Sequence, residues 1–120
     1  KALGVSKQTL DKYNAVSLQT AKEMANGAKE NLNADIAIAT TGFAGPGGGL
    51  PERPVGTVII GIAHKNKNSS IAYHYKGGRD VLKNKFAKRA LVSLLEEIIN
   101  IEKNQKFNKY FTNDIHNLMK

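Results

Sequence analysis

The sequence predicts an α/β fold: a single three-layer α/β/α domain with a mixed sheet. Three observations lead there. The chain has 120 residues, enough for one domain, and a chain of this size buries about 65% of the surface its unfolded form exposes. Two short apolar runs, Ile36–Thr40 and Val55–Ala63, are rich in isoleucine and valine and too short for helices, so they read as buried strands. Segments with helical apolar spacing lie on both sides of them in the chain, as a layered fold requires.

The elements follow in order. Ser6 caps a short helix through Tyr13, and Asn14-Ala15-Val16 breaks it. Ser17 caps a second helix with Ala21, Met24, Ala25, Ala28 and Leu32 on one face. Asn33 closes that helix, because asparagine tolerates the left-handed conformation a helix end needs. Ile36–Thr40 is then expected as a strand buried on both faces, with an edge lacking a partner in Ile36–Thr41. After a loop from Gly42 to Pro54, Val55–Ala63 is the expected central strand. Lys65–Ser70 makes the turn, and Ile71–Tyr75 returns antiparallel as the third strand. A long helix is expected from about Asp80 to Ile101, burying Leu82, Phe86, Ala87, Ala90, Leu91, Leu94, Leu95 and Ile98. The tail from Asn108 to Lys120 is read as a short docked helix.

Composition removes several function classes. The absence of cysteine excludes disulfides, thiolate metal sites and cysteine nucleophiles. The longest near-apolar run, Val55–Ala63, is too short to span a membrane as a helix. No basic-then-apolar leader opens the chain, so the expected location is cytoplasmic, with no membrane partner. Eighteen Lys and Arg against ten Asp and Glu give a net charge of +8. The lysines are scattered and no stripe alternates aromatic with basic residues, so nucleic acid is not the expected partner. His64, His74 and His116 lack metal-ligand spacing. Ser69-Ser70 reads as turn chemistry, and Glu96-Glu97 as solvated, because adjacent helical residues point about 100° apart.

The strongest functional signal lies between Thr40 and Thr57, which hold six glycines and three prolines. Such a loop exposes many backbone amides with little bulk, and consecutive free N–H groups suit a phosphate or a developing oxyanion. Dinucleotide and Walker-type glycine loops lead directly into a helix, whereas here a strand follows and no Gly-Lys-Ser/Thr occurs. An ordinary long connection between strands is the plain alternative.

Thr41-Gly-Phe-Ala-Gly-Pro-Gly-Gly-Gly49 with Arg53-Pro-Val-Gly-Thr-Val58 closely resembles the CinA C-terminal domain family, the nicotinamide-nucleotide amidohydrolases. Leu3-Gly-Val5, Thr9-Leu10, Ala15-Val16-Ser17 and Gly78-Arg79-Asp80 agree in order, and the resemblance runs from Lys1 to about Glu97. It implies hydrolysis of the carboxamide of nicotinamide mononucleotide, giving nicotinate mononucleotide and ammonia, in pyridine-nucleotide salvage. It implies further strands and a helix upstream and, together with the exposed sheet edge, a homodimer; no organic cofactor is suggested. Substrate-binding roles fall on Thr41, Gly42, Gly45, Gly47, Gly48 and Arg79, with Lys83 one turn beyond. Arg79 has a plain alternative too, a pair with Asp80. The family's serine-bearing Thr-Gly-Gly segment and its Tyr-Ser-Asn-x-x-Lys segment have no counterpart here, so no catalytic residue is assigned. The chain is expected to be a truncated domain over residues 1–120, carrying the binding part of a site. The alternative is a non-catalytic nucleotide-binding or assembly partner of the same family.

Overall fold

The computed structural model describes residues 4–65 and 67–102. The element order is α1 (Lys7–Tyr13), α2 (Leu18–Asn31), β1 (Ile36–Gly42), β2 (Thr57–His64), β3 (Lys67–His74) and α3 (Arg79–Glu102). The expected tail helix, with His116, lies outside the described residues.

Both short helices begin as their capping residues dictate. The Ser6 hydroxyl accepts from the Thr9 amide, and the Ser17 hydroxyl accepts from the Thr20 amide. Asn14 at φ 81° turns the chain between them, and its carbonyl accepts from the Ser17 and Thr20 hydroxyls at 3.1 and 2.6 Å. Asn33 adopts the left-handed conformation at φ 50° just beyond α2. Leu32 is 75% exposed rather than buried: it sits at the C-cap, where the chain is already leaving the helix face.

The described strands form a three-stranded sheet in the order β1-β2-β3, antiparallel throughout where a mixed sheet is expected, because each strand among them pairs with the next one along the chain. Alternate residues of β2 point to opposite faces. Ile59 packs with Val16 and Ala21, and Ala63 with Ala25 and Ala39, so α2 covers one face. Val58 and Ile60 are buried on the other, which α3 covers. The result is the expected α/β/α layering.

The strand limits shift for physical reasons. β3 begins at Lys67, not Ile71, because His64 already pairs with Lys67, and Lys65 stands at φ 49° between them. Ser69 and Ser70 therefore lie in a strand, and the Ser70 hydroxyl donates to the Leu18 carbonyl at 2.7 Å. β1 is only half-buried over Ile36–Ile38, not enclosed on both faces. Its outer edge has no strand neighbour among the described residues.

Helix α3 corrects the expectation most. Its buried residues are Leu82, Arg89, Val92, Ser93, Glu97 and Ile99. Leu91 is 53% exposed and Ile98 37%, so part of the predicted core face points outward. Polar groups take the inner positions because the sheet supplies partners. Glu97, 5% exposed, accepts from Lys67 at 2.7 Å and is not solvated. Arg89 pairs with Glu96 at 2.7 Å, donates to the Ser93 hydroxyl at 3.1 Å, and lies 4.5 Å from the Tyr73 ring centroid. No helix of the described residues is long and apolar enough to cross a membrane.

Candidate functional site

The site is built where β1 ends. Gly42 closes the strand opposite Val58, and a Cβ there would meet the Thr57 carbonyl at 2.6 Å and the Phe86 ring at 3.1 Å. A glycine is therefore required simply for the loop to leave the sheet beneath α3. Phe43 stays pinned: its amide donates to the Thr57 carbonyl at 2.9 Å, and its carbonyl accepts from the Gly56 amide at 2.7 Å. Its ring packs on the Val16, Ala21 and Ile59 cluster. The loop hangs from a fixed stem.

Beyond the stem the chain is spare. The Gly45–Pro46 peptide is cis, and Gly45 is buried while Pro46, Gly47 and Gly48 are exposed. Gly48 stands at φ 87°, and a Cβ there would touch only the Phe43 ring, at 3.4 Å. Its amide and that of Gly47 belong to the exposed run of the loop. The far side is tied back by Leu50 and Arg53, whose amides and carbonyls exchange hydrogen bonds at 2.8 and 2.9 Å.

Arg79 joins the loop from another element. As the first residue of α3, its Nη1 donates to the Gly45 carbonyl at 2.7 Å. It makes no described ion pair with Asp80. The guanidinium thus stands against the glycine loop, across 34 residues of sequence, with donors left over after the Gly45 bond. Lys83, one turn on, is exposed.

Thr41 faces the α2 side and donates its hydroxyl to the Ala15 carbonyl at 2.9 Å. That proton goes to a main-chain acceptor rather than to a base, which suits a positioned contact and not a nucleophile. Thr41, Gly42, Gly45 and Arg79 converge on the one end of the sheet, with Gly47 and Gly48 on the loop's outer turn. Phe43 and Phe86 wall the stem; the sequence marks Phe86 only as a core position of the long helix and Phe43 only as an aromatic residue inside the glycine segment.

The model of the CinA C-terminal domain matches residues 1–98. This chain belongs to the CinA C-terminal domain family. It is 44% identical over 99 residues to a putative competence-damage inducible protein of Clostridium kluyveri, covering 82% of this chain and 24% of the relative. A similar protein of Caldicellulosiruptor saccharolyticus is 48% identical over 100 residues, covering 83% and 24%. Among solved structures, a CinA superfamily protein of Escherichia coli superposes with TM-score 0.74 at 40% identity, over 78% of this chain and 55% of that one. A CinA superfamily protein of Klebsiella pneumoniae gives TM-score 0.77 at 30% identity, over 82% and 62%. The chain therefore spans about a quarter of the length of the curated relatives it matches.

Proposed function

We propose that this CinA-family domain supplies the nucleotide-binding part of an amidohydrolase acting on nicotinamide mononucleotide. The observation that carries the reading is the Arg79 guanidinium, 2.7 Å from the Gly45 carbonyl, beside a loop whose outer glycines, Gly47 and Gly48, are exposed. A guanidinium and free main-chain amides together suit a phosphate monoester. The same amides suit the oxyanion formed when a nucleophile attacks a carboxamide. The reaction is acyl transfer: attack on the amide carbon, loss of ammonia, then transfer to water. Binding and polarisation fall to Thr41, Gly42, Gly45, Gly47, Gly48 and Arg79; no residue of this chain is assigned as nucleophile. The setting assigned on this reading is the cytoplasm, with the protein acting as a homodimer.

A second reading is supported by the Thr41 hydroxyl, which is committed to the Ala15 carbonyl. On that reading the chain binds a nucleotide, or assembles with another polypeptide, without catalysis. Two measurements test both. Calorimetry of the 120-residue chain with nicotinamide mononucleotide is expected to show saturable binding, with no ammonia released by this chain alone. Absence of binding would sink the first reading. Ammonia release by the protein purified from its own cells supports the amidohydrolase; nucleotide binding without release supports the second reading.

A further inference from the structure

A cavity of about 430 Å³ opens on the α2 side of the sheet, at its β3 edge. It contains none of the residues assigned to the glycine-loop site. Leu18, Pro54, Ile59 and Ala72 form an apolar lining, and because Ile59 and Ala72 come from one pleated sheet face, the floor is flat. The volume lies in the range of small-molecule sites, which pair such lining with a few placed polar groups.

Glu52 and Tyr73 also line it, and three further polar groups, Thr57, Arg53 and His74, can meet a ligand there. Thr57 is only 5% exposed, and its hydroxyl has no hydrogen-bond partner among the described residues although it lines the cavity. No fully buried side-chain polar atom lacks a partner among the described residues, so this unpaired hydroxyl is one that reaches the open space of the cavity. Arg53 is held by the Leu50–Arg53 backbone bridge, and its side chain is 28% exposed. Its described ion partner is the adjacent Glu52, at 3.5 Å, too long for a strong pair, with the Glu52 side chain 63% exposed. His74 bonds the Val55 carbonyl through Nε2 at 3.1 Å; a carbonyl only accepts, so Nε2 carries the proton and Nδ1 is unengaged.

We infer that this cavity is a second ligand site, for a small organic anion with a flat apolar body and one carboxylate or phosphate headgroup. The anionic oxygens take hydrogen bonds from the Arg53 guanidinium and the Thr57 hydroxyl, and the body lies on Ile59 and Ala72. The inference goes beyond the amidohydrolase reading and does not depend on it.

The test titrates the full chain with benzoate, phenyl phosphate and neutral benzamide, following backbone amide resonances. Saturable shifts at Leu18, Thr57, Ala72 and His74 with at least one anion are expected, and the better anion identifies the headgroup. Benzamide should bind about tenfold or more weakly, since a charge-assisted bond is lost. Arg53→Gln, on a surface loop, should weaken the anion about tenfold or more while leaving affinity for nicotinamide mononucleotide unchanged. Thr57→Val should also weaken the anion, in a variant whose amide spectrum shows it folded. No saturable shift with either anion, equal binding of benzamide, or an Arg53 variant with undiminished affinity would overturn the site. Loss of mononucleotide affinity in that variant would merge the cavity with the glycine loop and overturn its separateness.

Discussion

Gly48 shows what a single position in the loop does. At φ 87°, a residue with a side chain is strained by about 1–2 kcal/mol. A Cβ would nevertheless meet nothing but the Phe43 ring, at ordinary contact distance. Gly48→Val is therefore expected to stay folded with a modestly lowered melting temperature, while affinity for the mononucleotide falls at least about tenfold because its branched side chain blocks approach to the amides. Calorimetry on the folded variant checks this, and unchanged affinity would make the loop an ordinary connection. Arg79 braces Gly45 and, on the proposed reading, would face the phosphate. Arg79→Ala should weaken the mononucleotide roughly ten- to a hundredfold, and the phosphate-free nucleoside much less. Equal losses would reduce Arg79 to a brace for the loop.

Between elements, two contacts decide how helices sit on the sheet. A Cβ at Gly61 would run into the Ala21 carbonyl, so α2 approaches the centre of β2 as closely as a bare backbone permits. Gly61→Ala should cost about 1–3 kcal/mol of stability, towards the upper end because the clash is with main chain rather than a flexible side chain. Urea denaturation measures it. Glu23 of α2 ties down α1: it accepts from the Thr9 hydroxyl at 2.6 Å, from Gln19 at 2.9 Å and from the Ser6 amide at 3.2 Å. Chiefly the Thr9 bond, then that from Gln19, holds its carboxyl below the ordinary value of 4.5. A depressed folded-state pKa contributes stability that is present above 4.5 and lost as pH falls through the lower folded value. Glu23→Gln should accordingly be less stable than the parent near neutrality, with the gap closing at strongly acid pH. A gap that persists unchanged to pH well below that window would assign the effect to packing.

For the whole molecule, the outward face of α3 matters most. Leu91 and Ile98 lie one above the other on the helix, 53% and 37% exposed, away from the sheet. An apolar stripe of this kind, together with a β1 edge that has no strand neighbour among the described residues, favours association. Light scattering of the 120-residue chain should show mass rising with concentration. The double variant Leu91→Lys, Ile98→Lys should shift it towards monomer without lowering stability by more than about 0.5 kcal/mol, since both sites are on the surface. A parent that stays monomeric at high concentration would count against self-association through this face.

Much of this was legible in sequence because it is local. Ser6 and Ser17 cap helices through hydroxyl bonds to amides three residues on, and Asn33 ends one by its own tolerance of positive φ. The run Val55–Ala63 marked the central strand because a β-branched stretch has few other homes, and the glycines after Thr41 announced a loop of bare amides. What tertiary structure decided is which of two apolar stripes on α3 meets the sheet. Periodicity sees Leu91 and Ile98 as equal to Leu82, and it cannot see that Lys67 and Tyr73, distant in sequence, make Glu97 and Arg89 suitable for burial. Only the folded chain brings the Arg79 guanidinium to the Gly45 carbonyl, or leaves the Thr57 hydroxyl facing a cavity. Local rules set the elements because their bonds span a few residues; partners for buried charge come from across the fold, and those only packing supplies.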